Sequence, residues 1–140
     1  MPARGRVSTS EGQFHLDLAV PAVPSMVSEV RHAFEKLPLS GDLLDDACLL
    51  LSELLTNSIR HAGLRADEKI RILVTVSEAR LRVDVLDRTH AMAPREPAGA
   101  IRPDPRAESG WGLYLVNRLA ARWGWGRDGY WFEMPGLISE

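Results

Sequence analysis

The sequence predicts an α+β fold, in which helices with one apolar face pack on strands with alternating apolar residues. Apolar residues recur at helical spacing in three segments, at about 25–37, 42–62 and 112–123. Four further segments have the composition or alternation of strands, at about 13–20, 69–77, 80–87 and 130–134. A chain of 140 residues is long enough for one domain with its own core. We expect residues 13–136 to form that domain, after a flexible N-terminus at 1–12.

The charge, the lengths of the apolar runs and the cysteine count together limit the partners and the location of the protein. Lys and Arg total 17 against 19 Asp and Glu, a net charge of −2, so we expect no direct binding to nucleic acid. No apolar run approaches the roughly 20 residues that span a membrane, and the polar first dozen residues do not resemble a signal peptide. Cys48 is the single cysteine, which excludes an intramolecular disulfide. We therefore expect a cytoplasmic protein with no membrane partner.

The first strand and the first helix are each bounded by chain-breaking residues. Residues 13–20 alternate so that one face carries Phe14, Leu16, Leu18 and Val20. Pro21 and Pro24 end this strand. The helix that follows, to about Leu37, has apolar residues at helical spacing at Met26, Val30, Ala33 and Phe34. Pro38 and Gly41 end it.

The second helix, at about 42–62, carries three polar residues at four-residue steps. At about 100° per residue, Glu53, Asn57 and His61 lie on one face, opposite an arc of apolar residues. On a partly buried face these groups need partners, because burying them unpaired costs several kcal/mol. A bound ligand or metal is one such partner, and an ordinary solvated helix face is the alternative.

The third and fourth strands are joined by Ser77-Glu78-Ala79, a connection short enough for an antiparallel hairpin. Leu81, Val83 and Val85 share one face of the fourth strand, and Asp87 continues that series. A carboxylate at an inward position is costly unless it is hydrogen-bonded. Asp87 is thus a candidate ligand-binding residue, unless it leaves the sheet and starts a turn.

The stretch at 88–109 contains four prolines and shows no periodicity. A long irregular connection in a small domain is usually a functional lid or a disordered segment. It ends at Ser109-Gly110-Trp111-Gly112, which begins a helix to about Trp123 with an inner stripe that includes Leu113. Free N–H groups and glycines at a helix N-terminus allow a phosphate to approach closely.

The order of these features resembles the nucleotide-binding fold shared by gyrase, histidine kinases and MutL. Within that superfamily, the chain looks like the bacterial anti-sigma-factor serine/threonine kinases of the RsbW and SpoIIAB type. The strongest match is Glu53-Leu-Leu-Thr-Asn57-Ser-Ile-Arg-His61-Ala, followed by Gly110-Trp-Gly-Leu-Tyr-Leu-Val and the closing Trp131-Phe-Glu. The resemblance implies a two-layer α/β sandwich of the Bergerat type. Its mixed, mostly antiparallel sheet would be covered on one face by three helices.

The resemblance also implies ATP and Mg²⁺ as cofactors and a role for each site residue. Asn57 would be a Mg²⁺ ligand, Glu53 the general base and Asp87 the acceptor for the adenine amino group. Residues 88–109 would form the ATP lid. The remaining cofactor-binding residues would be His61, Gly110, Trp111, Gly112 and Leu113.

Two functions follow from the resemblance and from its departures. The first is a kinase that phosphorylates an anti-anti-sigma (STAS) protein and sequesters a sigma factor, with a homodimer also implied. The second is a non-catalytic, nucleotide-gated binding module. It is motivated by Asp87-Arg-Thr-His-Ala91, where the family's Asp-x-Gly-x-Gly has two glycines, and by the lack of a Thr in the closing strand.

Overall fold

The computed structural model describes residues 4–10, 12–61, 65, 68–77, 80–87, 118–125 and 129–135. In chain order, these residues form β1 (Arg4–Ser10), β2 (Gln13–Pro21), α1 (Met26–Phe34), α2 (Gly41–His61), β3 (Lys69–Val76), β4 (Arg80–Leu86), β5 (Arg122–Trp125) and β6 (Gly129–Pro135).

The strands of the described segments form one sheet in the order β1-β2-β3-β4-β6-β5. Each of the five neighbouring pairs is antiparallel. The predicted hairpin of β3 and β4 is confirmed, and its turn is closed by the N–H of Ser77, which donates to the carbonyl of Arg80 at 2.9 Å. β6, the closing strand, pairs with β4 on one side and with β5 on the other.

One face of the sheet carries the core. Alternate residues of β2, β3 and β4 are buried there, as the two-residue period of a strand requires. In β6, Phe132, Glu133 and Met134 are all buried. α1 packs on α2, and α2 packs on β4 and β6. The side chains with no exposed surface include Val20, Phe34, Leu50, Leu51, Leu54, Leu55, Ile70, Ile72, Leu81, Val83 and Phe132. This is the two-layer α+β arrangement that the sequence predicts.

Two expectations about the chain's elements are wrong in part. The described residues contain α1, α2 and the helical residues 118–119 of the expected third helix, whose earlier residues lie outside them. Its expected end at Trp123 is a strand instead, because β5 pairs with β6 and places Trp123 opposite Phe132. The short strand β5 has only four residues, too few to show a strand period.

The second error concerns the N-terminus, expected as a flexible segment at 1–12. Arg4–Ser10 form β1, which pairs with β2 along its whole length. The strand contains one large apolar residue, Val7, whose side chain is 58% exposed, so hydrophobic alternation could not indicate it. Backbone hydrogen bonds to the edge of the sheet order this segment.

Candidate active site

The helix α2 presents Glu53 and Asn57 on one face, its polar side. Both side chains are half-buried, one turn apart, while Leu50 and Leu54 are fully buried beside them. The helix face is therefore neither a solvated surface nor core. It carries a carboxylate and a carboxamide at the border of the apolar layer, where each remains accessible to a ligand.

Asn57 is held by a residue of the closing strand. Its Nδ2 donates a hydrogen bond of 2.9 Å to the phenol oxygen of Tyr130, which lies 73 positions away in the sequence. Among the described residues, no donor is bonded to Asn57 Oδ1. The contact engages the amide nitrogen, so it leaves the carbonyl oxygen as the available polar atom.

Gly129 determines how β6 begins beside β4. Its backbone has a φ of +144°, a conformation that side chains other than hydrogen rarely adopt. A Cβ at this position would collide with the carbonyl oxygen of Val85. Glycine therefore allows the strand to enter the sheet at close range and directs Tyr130 onto the face covered by the helices.

Asp87 lies immediately after β4 on the same face. Its side chain is buried, with 1% of its surface exposed, as the inward series of β4 predicts. Val85, two residues earlier, pairs in register with Tyr130. The end of β4, the start of β6 and the C-terminal part of α2 thus bring Asp87, Tyr130 and Asn57 to one part of the molecule, and Glu53 lies one helical turn from Asn57.

The chemistry of these groups suits a cation shared with a ligand. Asn57 Oδ1 is a hard oxygen donor, which Mg²⁺ prefers, and Mg²⁺ commonly takes one or two protein ligands together with phosphate oxygens. Within the described ranges, no three His, Cys, Asp or Glu side chains cluster as a metal cage. The donor set therefore fits a metal that arrives with a phosphorylated ligand, held from the protein side through Asn57.

Several predicted site residues lie outside the described residues. These are the lid at 88–109 and the glycine-rich helix start with Gly110, Trp111, Gly112 and Leu113. His61 is the last residue of α2, and only its backbone is described. Their predicted contacts with nucleotide stay predictions.

Sequence reasoning missed Tyr130. The closing strand lacks the Thr of the family pattern, but it carries the hydroxyl of Tyr130. The signal was available: Tyr130 is two residues before Phe132, and both belong to the inward series of β6. A polar group on an inward strand position indicates a specific partner.

An ionic cluster around Glu133 stabilises the other face of the sheet. The side chain of Glu133 is 7% exposed. Its carboxylate accepts hydrogen bonds from Arg80 at 3.2 Å and Arg82 at 3.3 Å, and Arg122 lies 3.6 Å from it. The guanidinium of Arg82 also lies 4.4 Å from the ring centre of Trp131. These contacts join β4, β5 and β6 across the face opposite the site.

The described helices include none that is long and apolar enough to cross a membrane.

Comparison with known proteins agrees with this arrangement. The chain is similar to the serine-protein kinase RsbW of Bacillus licheniformis, with 28% identity over 120 residues that cover 75% of this chain and 73% of the relative. A second RsbW sequence, from the ATCC 14580 strain of that species, is 27% identical over 121 residues with the same coverage. Residues 20–134, which include α2, β4 and all of β6 except Pro135, match the family described as the histidine kinase-like ATPase domain. The chain therefore belongs to the histidine kinase-like ATPase domain family.

Proposed function

We propose that this protein is an ATP-dependent serine/threonine kinase that phosphorylates an anti-anti-sigma (STAS) protein and sequesters a sigma factor. The observation that supports the proposal is that α2 packs on β4 and β6, with Asn57 hydrogen-bonded to Tyr130, and that the buried Asp87 follows Val85, the partner of Tyr130 in the sheet, by two residues. The similarity to two RsbW serine-protein kinases supports the reaction class. We place this activity in the cytoplasm, on a protein that forms a homodimer.

Each residue has one role in this proposal. Asp87, buried just after β4, accepts a hydrogen bond from the adenine amino group. Asn57 Oδ1 provides the protein ligand for Mg²⁺, which when bound to ATP neutralises phosphate charge during phosphoryl transfer. Glu53, half-buried one turn away, takes the proton of the serine or threonine hydroxyl. Gly110, Trp111, Gly112 and Leu113 would hold the phosphates, beneath a lid formed by 88–109, and His61 would lie at the end of the helix beside them.

The first test concerns nucleotide binding. Calorimetric titration with ATP in Mg²⁺ should give a measurable affinity, and Asp87→Asn should reduce the preference for ATP over GTP, because a neutral amide oxygen is a weaker acceptor for the adenine amino group than a carboxylate. Asp84→Asn is the matched control: Asp84 lies on the same strand but on the opposite face, paired with Arg82 at 3.1 Å. Wild-type protein that binds no ATP would overturn the proposed function.

The second test concerns phosphoryl transfer. A general base typically contributes a factor of 10² to 10⁴, so Glu53→Gln should reduce transfer from ATP to a STAS partner by at least about 100-fold. ATP affinity should change by less than about threefold, since the carboxylate acts on the acceptor hydroxyl rather than on the nucleotide. Equal transfer rates for the variant and the wild type would remove Glu53 from this role.

A second candidate function is a nucleotide-gated binding module without catalysis. The sequence after Asp87 favours it, because Arg88, Thr89, His90 and Ala91 include neither glycine of the family pattern. In such a module ATP would change which partner surface is displayed, by a shift in population. Tight ATP binding combined with the absence of transfer to any STAS partner would establish this function in place of the kinase.

A further inference from the structure

We infer that Tyr130 is a positioning residue for the proposed Mg²⁺ ligand, and that its hydroxyl holds the Asn57 carboxamide so that Oδ1 is the atom that would bind the cation. This inference rests on the proposed function and adds to it a residue of the closing strand. It is drawn from the hydrogen bond between Asn57 Nδ2 and the Tyr130 hydroxyl, 2.9 Å in length.

The geometry gives the contact a defined effect. An Asn side chain rotates about two bonds, and its amide can present either nitrogen or oxygen to a ligand. A cation requires the oxygen. Since Nδ2 is engaged by the phenol, the amide plane is fixed and Oδ1 is the atom that remains for the metal.

The phenol is itself held in place. Tyr130 lies in register between Val85 of β4 and Trp125 of β5, and its ring packs against the core. Gly129 allows the strand to begin close to the carbonyl of Val85. The sheet thus fixes the ring, the ring fixes the hydroxyl, and the hydroxyl fixes Asn57, so α2 and the sheet cooperate in forming one ligand.

A residue that orients a metal ligand by a hydrogen bond contributes measurably to the affinity of the site for the metal. Removing such a partner typically weakens metal binding by 10- to 100-fold. Tyr130→Phe keeps the ring and the packing and removes only the hydroxyl. The variant should therefore lose affinity for ATP in the presence of Mg²⁺ while its affinity for ATP in EDTA is unchanged.

The experiment measures ATP affinity by calorimetry in Mg²⁺ and in EDTA, and takes the ratio of the two as the Mg²⁺ gain. Tyr130→Phe should lower that gain by about tenfold. Ser52→Ala is the matched control, because its hydroxyl bonds the carbonyl of Cys48 at 2.7 Å on the same helix and is part-buried. The gain of this control should equal that of the wild type.

A double variant separates positioning from general support of the fold. Asn57→Ala should remove the Mg²⁺ gain. Adding Tyr130→Phe to Asn57→Ala should then lower the Mg²⁺ gain no further, since Tyr130 acts on the metal site through Asn57. In a ¹⁵N spectrum of the nucleotide-free protein, the side-chain amide pair that disappears in Asn57→Ala should shift in Tyr130→Phe. This second measurement does not require ATP binding.

The outcomes distinguish the inference from the proposed function. A gain in Tyr130→Phe within twofold of the wild type would overturn the inference and leave the kinase proposal standing. An equal loss of ATP affinity in EDTA and in Mg²⁺ would also overturn it, because that pattern indicates support of the fold. Wild-type protein that binds no ATP in either condition would overturn the proposed function and this role together.

Discussion

Replacing Glu133 with Gln should destabilise the part of the sheet on which the site is built. Glu133 lies between two arginines in register, Arg82 on β4 and Arg122 on β5, and Arg80 reaches it from the start of β4. Gln has nearly the same shape as Glu but lacks its charge. The variant would therefore leave three guanidinium groups facing one another around a neutral amide.

The magnitude follows from the exposure of the partners. Hydrogen bonds to a charged group contribute about 1.5–3 kcal/mol when shielded from water, and exposed ion pairs contribute about 0–1 kcal/mol. The carboxylate is 7% exposed, whereas Arg82 is 39% exposed and Arg80 is 57% exposed, so each of these two bonds falls between the limits. Arg122, at 3.6 Å and 70% exposed, adds little. We expect the free energy of unfolding to fall by about 2 kcal/mol.

Urea unfolding followed by circular dichroism measures this loss, with the slope m held equal to that of the wild type. Asp17→Asn is the control, because among the described residues Asp17 forms an ion pair with Arg71 alone, and its side chain is 41% exposed. Its loss should be less than half that of the Glu133 variant. A coupling free energy should also appear in the double-mutant cycle with Arg82→Met. A Glu133→Gln loss below about 0.5 kcal/mol, with no coupling to Arg82, would refute the reasoning.

Three further predictions concern other parts of the fold. Gly129→Ala should lower the free energy of unfolding, measured by heat or urea, by about 3 kcal/mol, because the added Cβ would collide with the neighbouring strand at a positive φ. In the control Gly41→Ala the added Cβ would meet no atom within 4 Å, so the free energy of unfolding should be unchanged. The hydrogen bond from Arg71 lowers the pKa of Asp17, so its stabilisation should be complete above about pH 4 and lost as the pH falls through the lowered pKa. The stability difference between wild type and Asp17→Asn should therefore shrink in acid, and a constant difference would contradict it. Burial raises the pKa of the Cys48 thiol, so Ellman's reagent should label it much more slowly in the native protein than in denaturant, and equal rates would show that the thiol is accessible.

Most elements that the sequence predicted correctly have a regular apolar period; β6 is the exception, since residues 130–134 have the composition of a strand without that alternation. β2, β3, β4 and α2 each bury one face, and their side chains alternate or recur as the backbone geometry requires. The elements that the sequence did not predict, β1 and β5, are ordered by pairing with a neighbouring strand rather than by a periodic apolar face. β1 has a single large apolar residue, and β5 is ordered by its register with β6, in which Arg122 lies opposite Glu133.

The candidate site divides in the same way. The sequence by itself determined that Glu53 and Asn57 share a helix face and that Asp87 continues an inward strand series, since both depend only on the local repeat of the backbone. The tertiary structure alone decided that Tyr130 meets Asn57, because β6 pairs with β4 and lies beneath α2. No local repeat relates two residues 73 positions apart. Their contact is set by the register of the sheet and the packing of the helix on it, and it determines which atom of Asn57 is available to a ligand.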